Sequence, residues 1–218
     1  MRTVIAGGHG KIAQRLEKLL SGRGDQVAGL IRRREQADAL LAAGAEPLVC
    51  DLESAGEEEV ARHLAGADAV VFAAGAGPGS GAARKETVDR AAAALLADAA
   101  LRAGVRRYLM VSAIGVDEEP PAGTDPVFAA YLRAKGAADA DLRARSGLDW
   151  TVLRPGRLTD DPGTGRVWLA PRTGYGTVTR DDVAAVLAAL LERPSTAGLT
   201  LDLVNGETPI PQALVELG

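Results

Sequence analysis

Tyr131 and Lys135 stand four residues apart in the run Tyr131-Leu132-Arg133-Ala134-Lys135. That spacing puts both on one face of a helix, one turn apart. An ammonium beside a phenol favours the phenolate, so Lys135 is expected to lower the Tyr131 pKa and let the phenol protonate a carbonyl oxygen as hydride arrives. Ser112, closing a strand-like run, is a candidate to hydrogen-bond the same oxygen. Lysine is scarce in this chain, four residues against 21 arginines, which makes its placement here informative. A packed tyrosine beside a surface lysine has the same spacing, and both readings stand at this level.

A second set of residues points to an anionic ligand. In Gly7-Gly8-His9-Gly10-Lys11-Ile12-Ala13, the residues Gly8, Gly10 and Ala13 follow a G-x-G-x-x-A spacing between a strand and a helix. Such glycines permit a tight turn and let backbone N–H groups approach a pyrophosphate at the positive end of the helix, while Ala13 keeps the helix close to its sheet. The alternative is an ordinary glycine turn. Where an NAD site would place an acidic residue, after the second strand, the chain has Arg32-Arg33-Arg34. Guanidinium groups suit a 2′-phosphate, so NADP(H) is expected over NAD(H), with Arg32 and Arg33 as contacts. A solvated basic helix start is the competing explanation. Asp51 and Leu52 follow the third strand and are candidates for the adenine edge, although an aspartate there also suits a helix N-terminus.

The elements that must position these groups alternate short β-branched runs with Ala/Leu-rich helical stretches, the rhythm of βαβ units in a parallel sheet. Strands are expected over 2–6, 26–31, 46–50, 69–73, 107–112 and 149–153, with further strands over 166–169 and 200–204. Helices are expected near 35–43, 57–64, 84–103, 125–145 and 181–192. The glycine-rich loop 75–81 and the Pro/Gly-interrupted stretch 154–165 read as irregular. The fold class is therefore α/β, a Rossmann doubly wound parallel sheet with helices on both faces. One domain over 1–218 is expected, with 154–218 supplying a small substrate-side region. Ligands of such sheets bind beyond the carboxyl ends of the strands, where the loops just named emerge.

Composition narrows the functions. The net charge of −4 gives no electrostatic case for nucleic acid or an anionic membrane surface. Aromatic residues make up 3 %, too few to stack bases. Cys50 is the sole cysteine and His9 and His63 are the two histidines, so linear spacing shows no disulfide framework and no metal-ligand motif, and no metal is expected. The longest apolar run, 183–191, is too short to span a bilayer, and a cytoplasmic protein is expected. Partners reduce to a small-molecule substrate, with monomer and homodimer both open.

Taken in order, these residues resemble the short-chain dehydrogenase/reductase superfamily, in its small atypical, NmrA-like branch of NAD(P)H-binding oxidoreductases. The resemblance spans nearly the whole chain: 7–13, Asp51-Leu52, Val71 to Gly75, Val111-Ser112-Ala113, Tyr131 to Lys135, and Thr151 to Gly156 with Leu158-Thr159. It implies that Gly7, Gly10, Lys11 and Ile12 lie along the dinucleotide and that Arg32 holds the 2′-phosphate. It further implies that Asp51 and Leu52 meet the adenine and that Ala73, Ala74 and Gly75 line the adenosine ribose. Lys135 would also bond the nicotinamide ribose, Pro155 and Gly156 would flank the nicotinamide, and 158–165 would help cover the substrate.

Three functions follow in order of expectation. The first is an NADPH-dependent oxidoreductase reducing a small carbonyl, quinone or flavin-like acceptor, a choice suggested by the few residues left to build a pocket. The second is a non-catalytic NADP(H)-binding redox sensor. The third is an epimerase or dehydratase that retains its cofactor.

Overall fold

The computed structural model describes residues 1–77 and 79–217, leaving Pro78 of the expected 75–81 loop outside the described residues. The chain begins with β1 (Arg2–Ala6), α1 (Lys11–Gly22), β2 (Gln26–Ile31), α2 (Ala37–Ala42), β3 (Glu46–Val49), α3 (Glu57–Leu64) and β4 (Ala69–Phe72). A short turn, α4 (Ala82–Arg84), leads through a π-helical segment (Lys85–Ala91) into α5 (Ala92–Arg102), then β5 (Arg107–Val111) and α6 (Pro126–Ala144). The remainder comprises β6 (Asp149–Pro155), β7 (Arg157–Thr159), β8 (Arg166–Ala170), β9 (Thr177–Thr179), α7 (Arg180–Leu191), β10 (Leu199–Asn205), β11 (Thr208–Pro209) and α8 (Ile210–Val215).

The main sheet runs β3-β2-β1-β4-β5-β6-β10-β8-β11. Strands β3 through β10 in that order are parallel, whereas β8 runs antiparallel to β10 and β11 antiparallel to β8. In register, Ile5 faces Gly29 on one side and Val71 on the other, and Val71 faces Leu109. Strand order reverses between β1 and β4, which opens a crevice at their carboxyl ends. The Rossmann α/β class read from the sequence is the observed one.

Alternation along each strand sends side chains to two cores. Ile5, Val71, Leu109, Leu153 and Leu201 pack with Leu16 and Leu20 of α1 and Leu187 of α7 on one face. Val4, Val70, Phe72, Tyr108 and Met110 pack with Leu96 of α5 and Leu142 of α6 on the other. Each such side chain, removed from water, stabilises the fold by about 1.5–3 kcal/mol. Two expectations need correction. The helix anticipated over 84–103 is divided, because its first two turns widen into a π segment that turns Lys85, Val88 and Asp89 inward. The stretch 154–165 is not wholly irregular: β6 continues to Pro155, and β7 pairs in parallel with β9 as a separate two-stranded sheet.

Candidate active site

The crevice between β1 and β4 is a cleft of about 350 Å³ walled by the first turn, the ends of β2 and β3, and the start of the glycine loop. Gly7, with φ +81, makes the turn, and a Cβ there would lie 2.6 Å from Ala74 Cα, so β1's loop and β4's loop touch only because the residue is glycine. The Gly10 N–H then donates to Gly7 O at 2.7 Å. Gly10 also caps α1, and among the described residues no side chain caps the first N–H groups of that helix, which leaves them for an anion.

Of the residues expected on the dinucleotide, Gly7, His9, Gly10, Arg32, Asp51, Leu52, Ala73, Ala74 and Gly75 all line this cleft. Gly8 does not. It is buried behind the turn, where a Cβ would meet Gly29 Cα at 2.9 Å, and its N–H donates to Leu30 O at 3.0 Å. Ile12 packs into the core. The Lys11 ammonium is drawn to Asp160 at 2.6 Å. Arg33, exposed like Arg32, is not among the residues that line the cleft. Asp51 lines the cleft and accepts the Glu53 N–H at 3.1 Å, so it caps the turn that follows β3 and not a helix.

Sequence reasoning missed Glu53 and Arg84. Glu53 accepts from Arg84 at 2.5 Å and from Thr87 Oγ1 at 2.7 Å, and Arg32 stands 4.0 Å away. The Arg84 and Thr87 hydrogen bonds, with Arg32 beyond, hold the Glu53 carboxyl below its ordinary range. Glu53 adjoins Asp51-Leu52 and was within reach of the sequence, but Arg84 lies 31 residues from its partner and carried no signal.

Beyond the glycine loop lie the chemistry-bearing residues. Lys135 is buried; its Nζ donates to Val111 O at 3.0 Å and Ala74 O at 3.4 Å, and Asp89 Oδ1 is 3.5 Å away. Burial lowers the Lys135 pKa, opposed by Asp89 and Asp139. Tyr131 is half-buried, stacks on Phe128 with ring centroids 5.8 Å apart, and has Lys85 Nζ 5.5 Å from its ring centroid. Burial, then the Asp89 and Asp139 carboxylates, push its phenol above its ordinary range. This reverses the expectation that Lys135 lowers it, because the ammonium is already engaged by Asp89 and two carbonyls. The phenol therefore keeps its proton.

The Ser112 side chain is buried beside Asp139 of α6, close enough to favour that group's ionised form, and among the described residues its Oγ has no partner at hydrogen-bond geometry. Asp139 in turn holds Arg154 at 2.8 Å, and Arg154 reaches Asp117 at 2.7 Å. Burial raises the Asp139 pKa, with Ser112 and Arg154 opposing. Pro155 accepts the Ile114 N–H at 3.2 Å, and Gly156 abuts Gly176, so both sit at the end of β6 away from the adenosine cleft. The 158–165 segment, expected as a substrate cover, is pinned by Asp181 and Asp182 of α7 to Gly163, Thr164 and Gly165. The fold also gathers donor atoms that linear spacing kept apart, correcting the expectation of no metal-ligand cluster: Cys50 Sγ, a Glu59 oxygen and a His63 nitrogen lie within 4.8 Å of one another.

The profile of the NAD(P)H-binding family matches residues 7–194. The chain belongs to that family. Among curated relatives it is 38% identical over 218 residues, covering all of both chains, to an uncharacterized sugar epimerase, YhfK, of Bacillus subtilis. Among solved structures, a presumed NAD-dependent epimerase/dehydratase of Bacillus halodurans is 36% identical with a TM-score of 0.89, covering 99% of this chain and 98% of that one. The oxidoreductase ylbE of Lactococcus lactis is 29% identical with a TM-score of 0.86, covering 100% and 96%. The residues present suit such a dinucleotide: glycines where a Cβ would fill the crevice, uncapped N–H groups at α1, and Arg32 with Arg84 at the adenosine end. Among the described residues, no helix is long and apolar enough to cross a membrane.

Proposed function

We propose that this NAD(P)H-binding protein is an NADPH-dependent oxidoreductase acting on a small carbonyl, quinone or flavin-like acceptor. When bound, the nicotinamide supplies the hydride. The observation that carries the reading is the placement of Tyr131 one helical turn from Lys135 on α6, the helix that Lys135 ties to the Ala74 end of the cleft. A phenol in this place would donate its proton to the oxygen that gains charge during reduction, and the burial and carboxylates that raise its pKa in the nucleotide-free chain would have to be offset by the bound nucleotide and substrate. Lys135 anchors this arrangement, tying α6 to β5 through Val111 O and to the loop after β4 through Ala74 O. The long Ala74 contact is the one a ribose hydroxyl would replace most readily. Ser112, buried against Asp139, supports the carboxylate behind Lys135 and is assigned no contact with substrate. Preference for the 2′-phosphate is assigned to Arg32, with Arg84 as a second cation across Glu53. The oxidoreductase named among the solved structures supports the class of reaction.

The test is Tyr131→Phe. Turnover of a quinone or aldehyde with NADPH is expected to fall by about 10²–10⁴-fold, the contribution of a positioned general acid, while the Kd for NADPH stays unchanged. Unchanged turnover removes Tyr131 as the acid.

A second reading, an epimerase or dehydratase that keeps its cofactor through each cycle, is favoured by the name of the Bacillus subtilis relative. Nucleotide that co-purifies and resists dialysis would raise it above the reductase. Ready loss of nucleotide counts against it.

A further inference from the structure

We infer that Cys50, Glu59 and His63 form a three-ligand binding site for a borderline divalent cation of the zinc type, on the outer side of the adenosine end of the cleft. Cys50 directly follows β3, fixed by its N–H to Ile31 O at 2.8 Å. Glu59 and His63 stand four residues apart on α3, which puts them one turn apart on a single face. The C-terminal end of that helix is anchored, because the Arg2 guanidinium donates to Ala65 O at 2.8 Å and His63 O at 3.4 Å. Two independently braced elements thus bring three donor atoms within 4.8 Å of one another, wider than the edges of about 3.3–3.7 Å that zinc–ligand bond lengths give in a tetrahedron, a gap that rotation of the exposed Glu59 side chain would close.

The donor set decides the kind of ion. Thiolate and imidazole suit zinc, cobalt or cadmium, whereas magnesium and calcium prefer all-oxygen sites. Charge fits as well: one thiolate, one carboxylate and a neutral imidazole around a divalent cation sum to zero, which suits a site whose thiol is buried. Without an ion, burial with Glu59 and Asp51 pushes the Cys50 thiol up to about 11, so it carries its proton. Binding then forms the metal–sulfur bond and releases that proton to solvent. Three protein ligands leave the fourth position open, and the exposed Glu59 side gives the ion a path from solvent. Cys50 also lines the cleft, so the cation site and the adenosine end share one wall.

The experiment titrates Co²⁺ into the full chain under reducing, nucleotide-free conditions and follows its absorption. The expected result is a sulfur-to-cobalt charge-transfer band with the visible bands of a four-coordinate ion, saturating at one equivalent and bleached by Zn²⁺. Cys50→Ser removes the charge-transfer band. Glu59→Gln and His63→Gln weaken Co²⁺ binding by at least about tenfold, the loss that even outer-shell partners of a metal produce. These two changes lie on one face of α3 outside the cores, so they decide the matter even if Cys50→Ser fails to fold. A titration without the charge-transfer band overturns the site, as does a band that persists undiminished in Glu59→Gln and His63→Gln. The readout needs neither nucleotide nor turnover, so it stands apart from the fate of the reductase assignment.

Discussion

Glu17 carries a carboxyl with 0% exposure and, among the described residues, no hydrogen-bond partner on either oxygen, wedged behind the Gly8 turn against Gly29. Burial raises its pKa from 4.5 to about 8. Below the lower value the group is neutral folded and unfolded, and it costs nothing extra. As pH rises from there to about 8, the unfolded chain loses the proton while the folded chain keeps it, so stability falls. The full loss is of the order of a few kcal/mol. Unfolding midpoints measured across that range are expected to fall steadily for the natural chain, and Glu17→Gln is expected to remove this part of the slope. An identical slope in both proteins would show that Glu17 is not the titrating group. At this scale the sequence identified residue types but not their surroundings. Arg32 and Arg33 are equivalent on paper, yet only Arg32 lines the cleft. The Tyr131–Lys135 spacing was legible, but the Asp89 that engages the lysine and raises the phenol lies 46 residues away from Lys135 on another element.

The elements behave as their periodicity requires, with exceptions concentrated around the site. The turn from β1 to α1 works because β2 passes close beneath it at Gly29. A Cβ there would lie 2.5 Å from Leu40 Cδ2 and 2.6 Å from Glu17 Oε1. Gly29→Ala is therefore expected to destabilise the chain by about 1–3 kcal/mol through overpacking and to weaken dinucleotide binding by shifting Gly8. Gly22, whose Cβ would meet nothing within 4 Å, is the comparison. Gly22→Ala is expected to be neutral or to stabilise by up to about 1 kcal/mol. Denaturant unfolding of both variants checks the contrast, and equal losses would discard the close-approach argument. The widening of Lys85–Ala91 into a π segment illustrates what periodicity does not carry: the run reads as plain helix, and only its packing against α6 turns Lys85 and Asp89 towards Tyr131 and Lys135.

For the whole molecule, the crevice joins β1, β2, β3, β4 and the π segment, so a ligand that fills it restrains elements spread over the first 92 residues. NADPH at about 100 times its Kd is expected to stabilise the chain by about 2.7 kcal/mol. For a chain of this size that raises Tm by roughly 5–10 °C. NADH at the same concentration should shift Tm less, and Arg32→Ala should erase the difference. Equal shifts for both nucleotides in the natural chain would remove the 2′-phosphate assignment from Arg32. The sequence by itself determined the α/β class and the Gly7 to Gly10 turn, because those follow from local spacing and from the alternation of short apolar strands with helical stretches. Only the tertiary structure decided the clasp of Arg84 on Glu53, the pairing of Lys135 with Asp89, the isolation of Glu17 and the meeting of Cys50 with His63. Each joins residues from different elements, and their electrostatics depend on burial and distance, which the order of residues along a chain does not contain.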